Sequence, residues 1–341
     1  MNQSPFIFGH RRQDTLFLSF VFLFLVLHTV ATAQTSPIRD LAKKRLPDSI
    51  LGHRTLVVPD PFNANAALRR LFPGKWYDLS TGPRDVDRLI NWICPTCKTV
   101  PFTDVNGVED PRRFPFQGGV ATRLINVFSY TDSTGKQHKL MSINHSDYDP
   151  DGLQIVRFSG GLLGLAEFIR IDSGWKLETF QPAIAAFGSF SQCPTPRPLL
   201  IGDHQYAYMM VNVNGGAGGP YRQDNYLIAQ VGNSYRLLLT AVNIGLTDVE
   251  AGQCSWTCSY HVVPGEKHVF RDIIIICKGR YFAADKEGLP VELKKKVKGA
   301  EQGNFTITRV YSYSAKNGYV QQLPATVLIH RSPPSAKNPG S

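Results

Sequence analysis

The feature that most constrains the fold is a series of four segments with the pattern of a β-hairpin. In each one, a run rich in aromatic and β-branched residues meets a turn of Gly, Asn, Asp or Ser, and a similar run follows. Such runs suit pleated strands, and these residues suit tight turns. The predicted strand pairs are 124–130 with 139–144, 166–171 with 175–180, 226–231 with 235–240, and 306–313 with 319–323. The chain is therefore predicted to be mainly β, with antiparallel hairpins in a sandwich or an open barrel-like sheet.

Two other segments carry a pattern of secondary structure. The continuous apolar run 273–277 predicts a strand that is buried on both faces. Segment 84–92 instead places its apolar residues on one face of a helix, which predicts a short helix before Cys94. The apolar residues of that segment are Val86, Leu89, Ile90 and Trp92.

The predicted organisation has three parts. Residues 1–33 are a signal peptide, and residues 34–75, rich in proline and charge, are a flexible leader. Residues 76–335 form a β-rich domain with a short helical N-terminal part. A division of that domain into two subdomains, if present, is expected near 183–200.

The N-terminal segment has the three parts of a secretory signal. Arg11 and Arg12 precede an apolar core at 16–27, and a small-x-small cleavage site follows at 31–33. The core is shorter than a membrane-spanning helix requires, which favours cleavage over the alternative of an uncleaved anchor. The mature protein is therefore predicted to begin at Gln34, to be periplasmic or secreted, and to contain no membrane span.

The six cysteines of an exported chain are expected to form disulfides. They are Cys94, Cys97, Cys193, Cys254, Cys258 and Cys277. Close spacing makes Cys94 and Cys97 the candidate local bridge. Two alternatives stay open at this point: a redox-active dithiol formed by that pair, and a zinc site formed by Cys94, Cys97, Cys254 and Cys258.

One acidic segment resembles the first half of a calcium-binding loop. Asp147, Asp149 and Asp151 alternate and Gly152 follows, so hard oxygen ligands stand at a spacing that can wrap one ion. The twelfth position is Phe158, where a bidentate Glu is expected. An ordinary turn between two strands is the alternative, and calcium is the one cofactor that the sequence suggests.

The sequence contains no complete catalytic motif, so no catalytic residue is assigned. Neither G-x-S-x-G nor H-E-x-x-H occurs. Four scattered histidines are predicted to be surface or packed residues and not bases: His145, His204, His261 and His268.

The formal net charge of +10 favours anionic partners, either an anionic surface or a polysaccharide. The tightest basic run, at 294–298, is predicted to be a solvated surface. Nucleic acid is not expected as a partner, because aromatic residues are not interleaved with the basic ones.

A resemblance adds to this interpretation. Trp175-Lys176 follows a turn, and the chain continues through 187–190 (Phe-Gly-Ser-Phe), 201–203 (Ile-Gly-Asp) and 206–208 (Tyr-Ala-Tyr). Together with the Cys-x-x-Cys, this segment resembles a loose group of exported bacterial β-rich proteins of unknown role. The resemblance implies export and β structure, and it implies no activity and no functional residues.

Three functions are carried forward from the sequence. The first is a noncatalytic binding or envelope-associated protein, because no catalytic set is complete and aromatics lie on turn-rich hairpins. The second is a secreted hydrolase with a calcium-stabilised loop, and the third is a thiol oxidoreductase that uses Cys94 and Cys97.

Overall fold

The structure, a computed structural model, describes residues 41–79, 88–107, 112–147, 157–215, 220–247, 254–282, 288–298 and 302–331. All of them belong to the compact unit Leu41–Ser341. The predicted signal peptide and the proposed calcium ligands Asp149 and Asp151 lie outside the described residues, so both stay predictions.

The first half of the described chain forms one large sheet. Strands β1 to β12 are Lys44–Arg45, Val57–Val58, Lys75–Asp78, Arg88–Ile93, Val100–Pro101, Thr103–Asp104, Arg113–Phe114, Val120–Thr131, Gln137–Asp147, Gly161–Ile171, Gly174–Gln181 and Ala185–Phe187. Among the described residues, the order in this first sheet is β1-β4-β8-β9-β10-β11-β2, and β3, β6 and β12 pair along its sides. Strands β5 and β7 form a separate two-stranded ribbon.

The second half forms the second sheet. Strands β13 to β21 are Arg197–Gly202, Gln205–Gly215, Tyr221–Val231, Ser234–Thr247, Ser255–Val262, Ile273–Phe282, Gln302–Ser314, Gly318–Gln321 and Thr326–Arg331. They run in the order β13-β14-β15-β16-β17-β18-β19-β20, and β21 pairs with β19. The chain passes from one sheet to the other between residues 187 and 197, within the predicted break, and the division into subdomains stays a prediction.

Helices are short in the part of the chain that the structure describes. They are a 3-10 helix at Asp48–Leu51, α1 at Ala64–Leu71 and α2 at Val291–Lys294. Asn63 caps α1, because its side-chain oxygen accepts a hydrogen bond from the Ala66 amide at 2.9 Å. None of the described helices is long and apolar enough to cross a membrane. The predicted fold class is confirmed: the protein is mainly β and contains a curled half-barrel sheet.

Three buried clusters show how the sheets are covered. One face of the first sheet packs against α1, with Phe168 and Leu68 among the buried residues. Its other face meets the second sheet through a shared core that includes Leu165 and Ile228. A third cluster fills the interior of the second sheet and includes Leu293 of α2. The alternation along β10, with successive residues facing opposite cores, places Glu167 on the face toward the second sheet.

All four predicted hairpins are confirmed, as β8–β9, β10–β11, β15–β16 and β19–β20. The turn chemistry accounts for them. In the first hairpin, Asp132 Oδ1 accepts hydrogen bonds from the Thr134 amide at 2.8 Å and the Lys136 amide at 2.9 Å. In the second, Gly174 has φ +131° and lies against the Val58 carbonyl, where a Cβ would come within 2.3 Å of the oxygen. Glycine is therefore required at that turn.

The predicted helix at 84–92 is wrong over its described part, because Arg88–Ile93 is strand β4. Positions 89–92 are all buried: Leu89 faces a small cluster with Leu41, whereas Ile90 and Trp92 face the core under α1. A strand that is buried on both faces appears in the sequence as a short apolar run. Such a run also matches the apolar spacing of a helix, so the pattern alone does not distinguish the two.

The predicted flexible leader also differs from the structure over 41–75. This segment contains β1, β2, α1 and the start of β3, and it places Leu46, Val58 and Leu71 in the core. The prediction was based on the proline and charged residues of this segment, whereas its apolar residues pack it against the first sheet.

The apolar run 273–277 is a strand, as predicted, but it is not fully buried on both faces. Ile273, Ile275 and Cys277 are buried, and Ile274 and Ile276 between them are half-buried. The alternation shows that one face of β18 belongs to the core and the other lies partly exposed.

Two disulfides are present, one of them at the predicted position. Cys94–Cys97 closes the turn after β4, and Cys258–Cys277 joins directly opposed residues of β17 and β18. Because Cys258 is bonded to Cys277, the zinc alternative is wrong.

Cys193 is a buried thiol outside these bridges, so the expected six-cysteine framework is wrong at Cys193. Cys193 packs in the core between the sheets. The Cys254 sulfur accepts a hydrogen bond from the Phe282 amide at 3.2 Å.

The two bridges are expected to stabilise the fold unequally, because a disulfide that closes a longer loop removes more entropy from the unfolded chain. The sequence separations are 19 for Cys258–Cys277 and 3 for Cys94–Cys97. We expect Cys258→Ala/Cys277→Ala to lower the free energy of unfolding by about 3 kcal/mol, and Cys94→Ala/Cys97→Ala by about 2 kcal/mol. Urea denaturation of both double variants measures this, and a larger loss for the Cys94 pair would contradict it.

Candidate functional site

The most chemically distinctive part of the structure is a cleft of about 520 Å³ between the two sheets. We call it the inter-sheet groove. Strands β8 to β11 supply one wall and β14 to β16 the other. The lining side chains used below are Tyr130, Asp132, Lys136, His138, Glu167, Glu178, Thr179, His204, Gln205, Tyr206, Tyr208, Gln230 and Tyr235.

The first wall follows from strand register. Tyr130 on β8 lies directly opposite His138 on β9, and their rings stack with centroids 4.6 Å apart. His138 on β9 pairs with Ile169 on β10. Glu167 lies two residues before Ile169 and therefore on the same face of the sheet. The β10–β11 register shifts between Glu167 and Phe168. Such bulges re-aim a side chain, and the Glu167 carboxylate points into the groove region.

Glu167 is the centre of a hydrogen-bond cluster. Its side chain is only 4 % exposed. The Tyr130 hydroxyl donates to Oε1, His138 Nδ1 lies 3.0 Å from the same oxygen, and the Tyr235 hydroxyl donates to Oε2 at 3.3 Å. Both carboxylate oxygens therefore have partners, as a buried charge requires.

The cluster continues from His138 to the hairpin turn. His138 Nε2 lies 3.0 Å from Asp132 Oδ2, so each ring nitrogen of His138 faces a carboxylate. Burial raises the pKa of Asp132, but the hydrogen bonds from Thr134, His138 and the Lys136 amide outweigh it and hold that pKa well below its usual range. Asp132 therefore stays ionised and anchors the imidazole to the turn.

Tyrosines form the rest of the walls. Tyr206 packs against Phe128 and Tyr130, with ring centroids 5.1 and 5.2 Å apart. Burial, reinforced by the negative charge of Glu167, raises the pKa of Tyr130, Tyr208 and Tyr235. These hydroxyls therefore stay protonated and act as hydrogen-bond donors across the physiological pH range.

The inter-sheet groove continues past β11 into a second depression of about 670 Å³. The two share Glu178, Thr179 and Gln230. The extension adds His53 and Arg54, the latter held by hydrogen bonds to the carbonyls of residues 50 and 71. The two depressions are therefore adjacent along β11.

Of the residues predicted as sites, the described ones, Asp147 and the six cysteines, do not line this groove, and of the four histidines that were not assigned as bases only His204 does. Asp147 ends β9 and pairs with Arg112 Nη2 at 2.7 Å. Within the described ranges, no group of three or more His, Cys, Asp or Glu side chains is arranged to hold a metal ion. His268 pairs with Asp203 at 2.7 Å on the surface, and His261 contacts Ser259 on exposed strand β17.

His145 is a packed residue, enclosed by the rings of Phe72, Trp92 and Phe114. Its Nδ1 lies 2.8 Å from Thr122 Oγ1, which also accepts a hydrogen bond from Trp92 Nε1 at 2.7 Å. Burial lowers the pKa of His145 to about 3. It is therefore neutral in the folded protein at physiological pH.

Sequence reasoning missed His138 and Glu167, although two signals for them exist. The predicted first hairpin, with its turn at 132–135, places Tyr130 opposite His138. Glu167 is a single carboxylate within the apolar run of β10, and a charge at such a position needs partners. The sequence around the residues of the opposite wall does not indicate that they lie near Glu167, because that proximity depends on how the two sheets pack.

Comparison of the chain with models of known families, with curated proteins and with solved structures finds no match. The proposed resemblance to exported bacterial proteins therefore stays a prediction. The inter-sheet groove itself is the basis for a proposed function.

Proposed function

We propose that this chain is an exported, noncatalytic binding protein that holds a short, uncharged glycan in the inter-sheet groove. The supporting observation is the make-up of the groove, in which tyrosine rings and side-chain amides surround a carboxylate cluster whose hydrogen bonds are already satisfied. Sugar rings present apolar C–H faces and a rim of hydroxyl groups. Aromatic faces with a few placed polar groups suit both features.

The balance of charge favours an uncharged ligand. Asp132, Glu167 and Glu178 line the inter-sheet groove together with the cationic Lys136 and the imidazole of His138. The first two carboxylates are held by the cluster, so the charged groups left to face a ligand are one carboxylate, Glu178, and one cation, Lys136. The hydroxyl of Thr179, the amide of Gln230 and the amino group of Gln205, whose Oε1 accepts a hydrogen bond from the Phe270 amide at 2.9 Å, line the groove as hydrogen-bond partners for sugar hydroxyls.

The geometry of His138 favours binding over catalysis. A general base must reach the proton that it removes, and both ring nitrogens of His138 already face carboxylates. A secreted hydrolase is the second candidate, because Glu167 and Glu178 line the same groove. A pair of carboxylates is what most glycoside hydrolases use.

The thiol oxidoreductase has less support. Its chemistry needs an accessible sulfur; in the disulfide, Cys94 is only 8 % exposed and Cys97 is half-buried. Export is supported by the predicted signal peptide and by two disulfides, which persist in oxidising compartments.

Binding is tested by titrating the mature protein, residues 34–341, with cellohexaose, xylohexaose, laminarihexaose and maltohexaose in a calorimeter. We expect one or more of them to bind. Tyr206→Ala is expected to weaken that binding roughly tenfold or more, because aromatic anchors carry much of the energy of an interface. Absence of binding by all four at millimolar concentration would contradict the proposal.

The matched control is Tyr260→Ala, which removes a half-buried tyrosine from strand β17 outside the groove. It is expected to bind as the unaltered protein does. Incubation of each hexasaccharide with stoichiometric protein, followed by chromatography, separates the two candidate functions: intact glycan supports a binding protein, and shortened products establish a hydrolase.

A further inference from the structure

The outer face of the second sheet carries two rows of polar side chains, one across four strands and one across three. The first row is Ser255, Arg280, Asn304 and His330, which are paired in register through β17, β18, β19 and β21. The second row lies two residues away from the first on three of these strands and consists of Thr257, Lys278 and Thr306. Residues two apart on a strand share a face, so both rows point the same way.

The residues between these rows point inward. Trp256 and Phe305 belong to the core of the second sheet, and their rings lie 6.0 Å apart. Gly279 separates Lys278 from Arg280, and a Cβ there would come within 2.2 Å of the Ser255 carbonyl oxygen. The sheet is therefore tightly packed beneath a polar outer surface.

A shallow depression of about 770 Å³ lies over these rows. Its cationic side chains are Lys278 and Arg280, the imidazole of His330 lies beside them, and the described residues that line it include no Asp or Glu. Lys278 and Arg280 make no ion pair with any carboxylate in the described part of the chain. The Arg280 guanidinium lies 5.5 Å from the centroid of the Phe282 ring, a contact that restrains it.

We propose that this outer face binds a linear acidic polysaccharide through its carboxylate groups. Strand geometry places Lys278 and Arg280 about 7 Å apart along β18, and His330 about 10 Å from Arg280 across the sheet. The two cations therefore lie along β18, and the imidazole of His330 adds a hydrogen-bonding group across the strands. Hydroxyl and amide side chains between them provide hydrogen-bond partners for sugar hydroxyls.

Other polyanions fit this face less well. Single-stranded nucleic acid is bound by stacking bases on exposed aromatic side chains, whereas Trp256 is only 3 % exposed and points into the core. The proposal goes beyond glycan binding in the inter-sheet groove, because it assigns a second ligand, negatively charged instead of uncharged, to a different surface.

The test measures binding of polygalacturonate to the mature protein at 50 and 200 mM salt, with fully methyl-esterified polygalacturonate as the uncharged counterpart. We expect the charged polymer alone to bind, and more weakly at the higher salt. Lys278→Gln/Arg280→Gln is expected to reduce the affinity roughly 30-fold, since each exposed cation contributes about a fivefold gain against an anionic surface.

Two variants locate the effect. Lys44→Gln/Arg45→Gln removes the same charge from exposed positions of β1 and is expected to keep the affinity for polygalacturonate. Tyr206→Ala is also expected to keep it, which separates this proposal from the one for the groove. Equal binding by the Lys278/Arg280 variant, equal binding of the esterified polymer, or binding of phosphatidylserine vesicles in place of polygalacturonate would each overturn the proposal.

Discussion

Replacing Glu167 with leucine is expected to lower the free energy of unfolding by about 3 to 5 kcal/mol, the usual cost of removing one partner from a buried charged network. The Tyr130 and Tyr235 hydroxyls and the His138 ring would each lose the oxygen that they now contact. An unsatisfied buried donor is costly, because water cannot replace the missing acceptor.

Urea denaturation at pH 7 measures this change, and two further variants make it specific. Glu167→Gln keeps the shape and one acceptor oxygen, so we expect a smaller loss of about 1 to 2 kcal/mol. Glu178→Leu removes an exposed carboxylate from the next strand and is expected to change stability by less than about 0.5 kcal/mol. If Glu167→Leu is as stable as the Glu178 variant, the cluster does not hold the two sheets together.

The second large effect is the loss of stability in weak acid, which we attribute to His145. Burial lowers its pKa to about 3 in the folded protein, whereas an unfolded histidine titrates near pH 6.5. The unfolded chain therefore binds the extra proton first as the pH falls. The contribution of His145 is complete above about pH 6.5, and it declines toward pH 3 by about 1.4 kcal/mol for each pH unit.

The measurement is urea unfolding at pH 7, 6 and 5 for the unaltered protein and for His145→Gln. The variant is expected to be less stable at pH 7, because it disturbs a packed site, and to lose less stability on acidification. His204→Gln, at an exposed turn, is the matched control and is expected to keep the original slope. Asp203 and Asp272, whose pKa values lie below the ordinary range, lose their contribution only in stronger acid. Parallel slopes for all three proteins would show that His145 is not the group responsible.

The sequence predicts the hairpins of this fold because each depends on local chemistry. A turn such as Asp132–Gly135 and its flanking alternation lie within a few residues of one another, and the register follows. Strand β4 could not be predicted in the same way. Its partners β1, β3 and β8 are distant or weakly patterned, and its apolar spacing fits a helix as well as a strand.

The candidate site was predictable only in part, for a related reason. Tyr130 and His138 face each other within one hairpin, whereas Tyr206 and Tyr235 approach them only after the second sheet packs on the first. The bridge between Cys258 and Cys277 is also set by strand pairing, and no spacing rule in the sequence distinguishes it from the other pairings.

The location of the bound glycan is tested most directly by hydrogen–deuterium exchange with and without the tightest-binding hexasaccharide. A ligand that covers a turn slows the exchange of its amides further, and the turns that border the inter-sheet groove lie at 132–136, 203–205 and 232–233. We predict slower exchange in these three turns and unchanged exchange on β18. Protection elsewhere on the protein, with these turns unaffected, would contradict the assignment of the groove as the binding site.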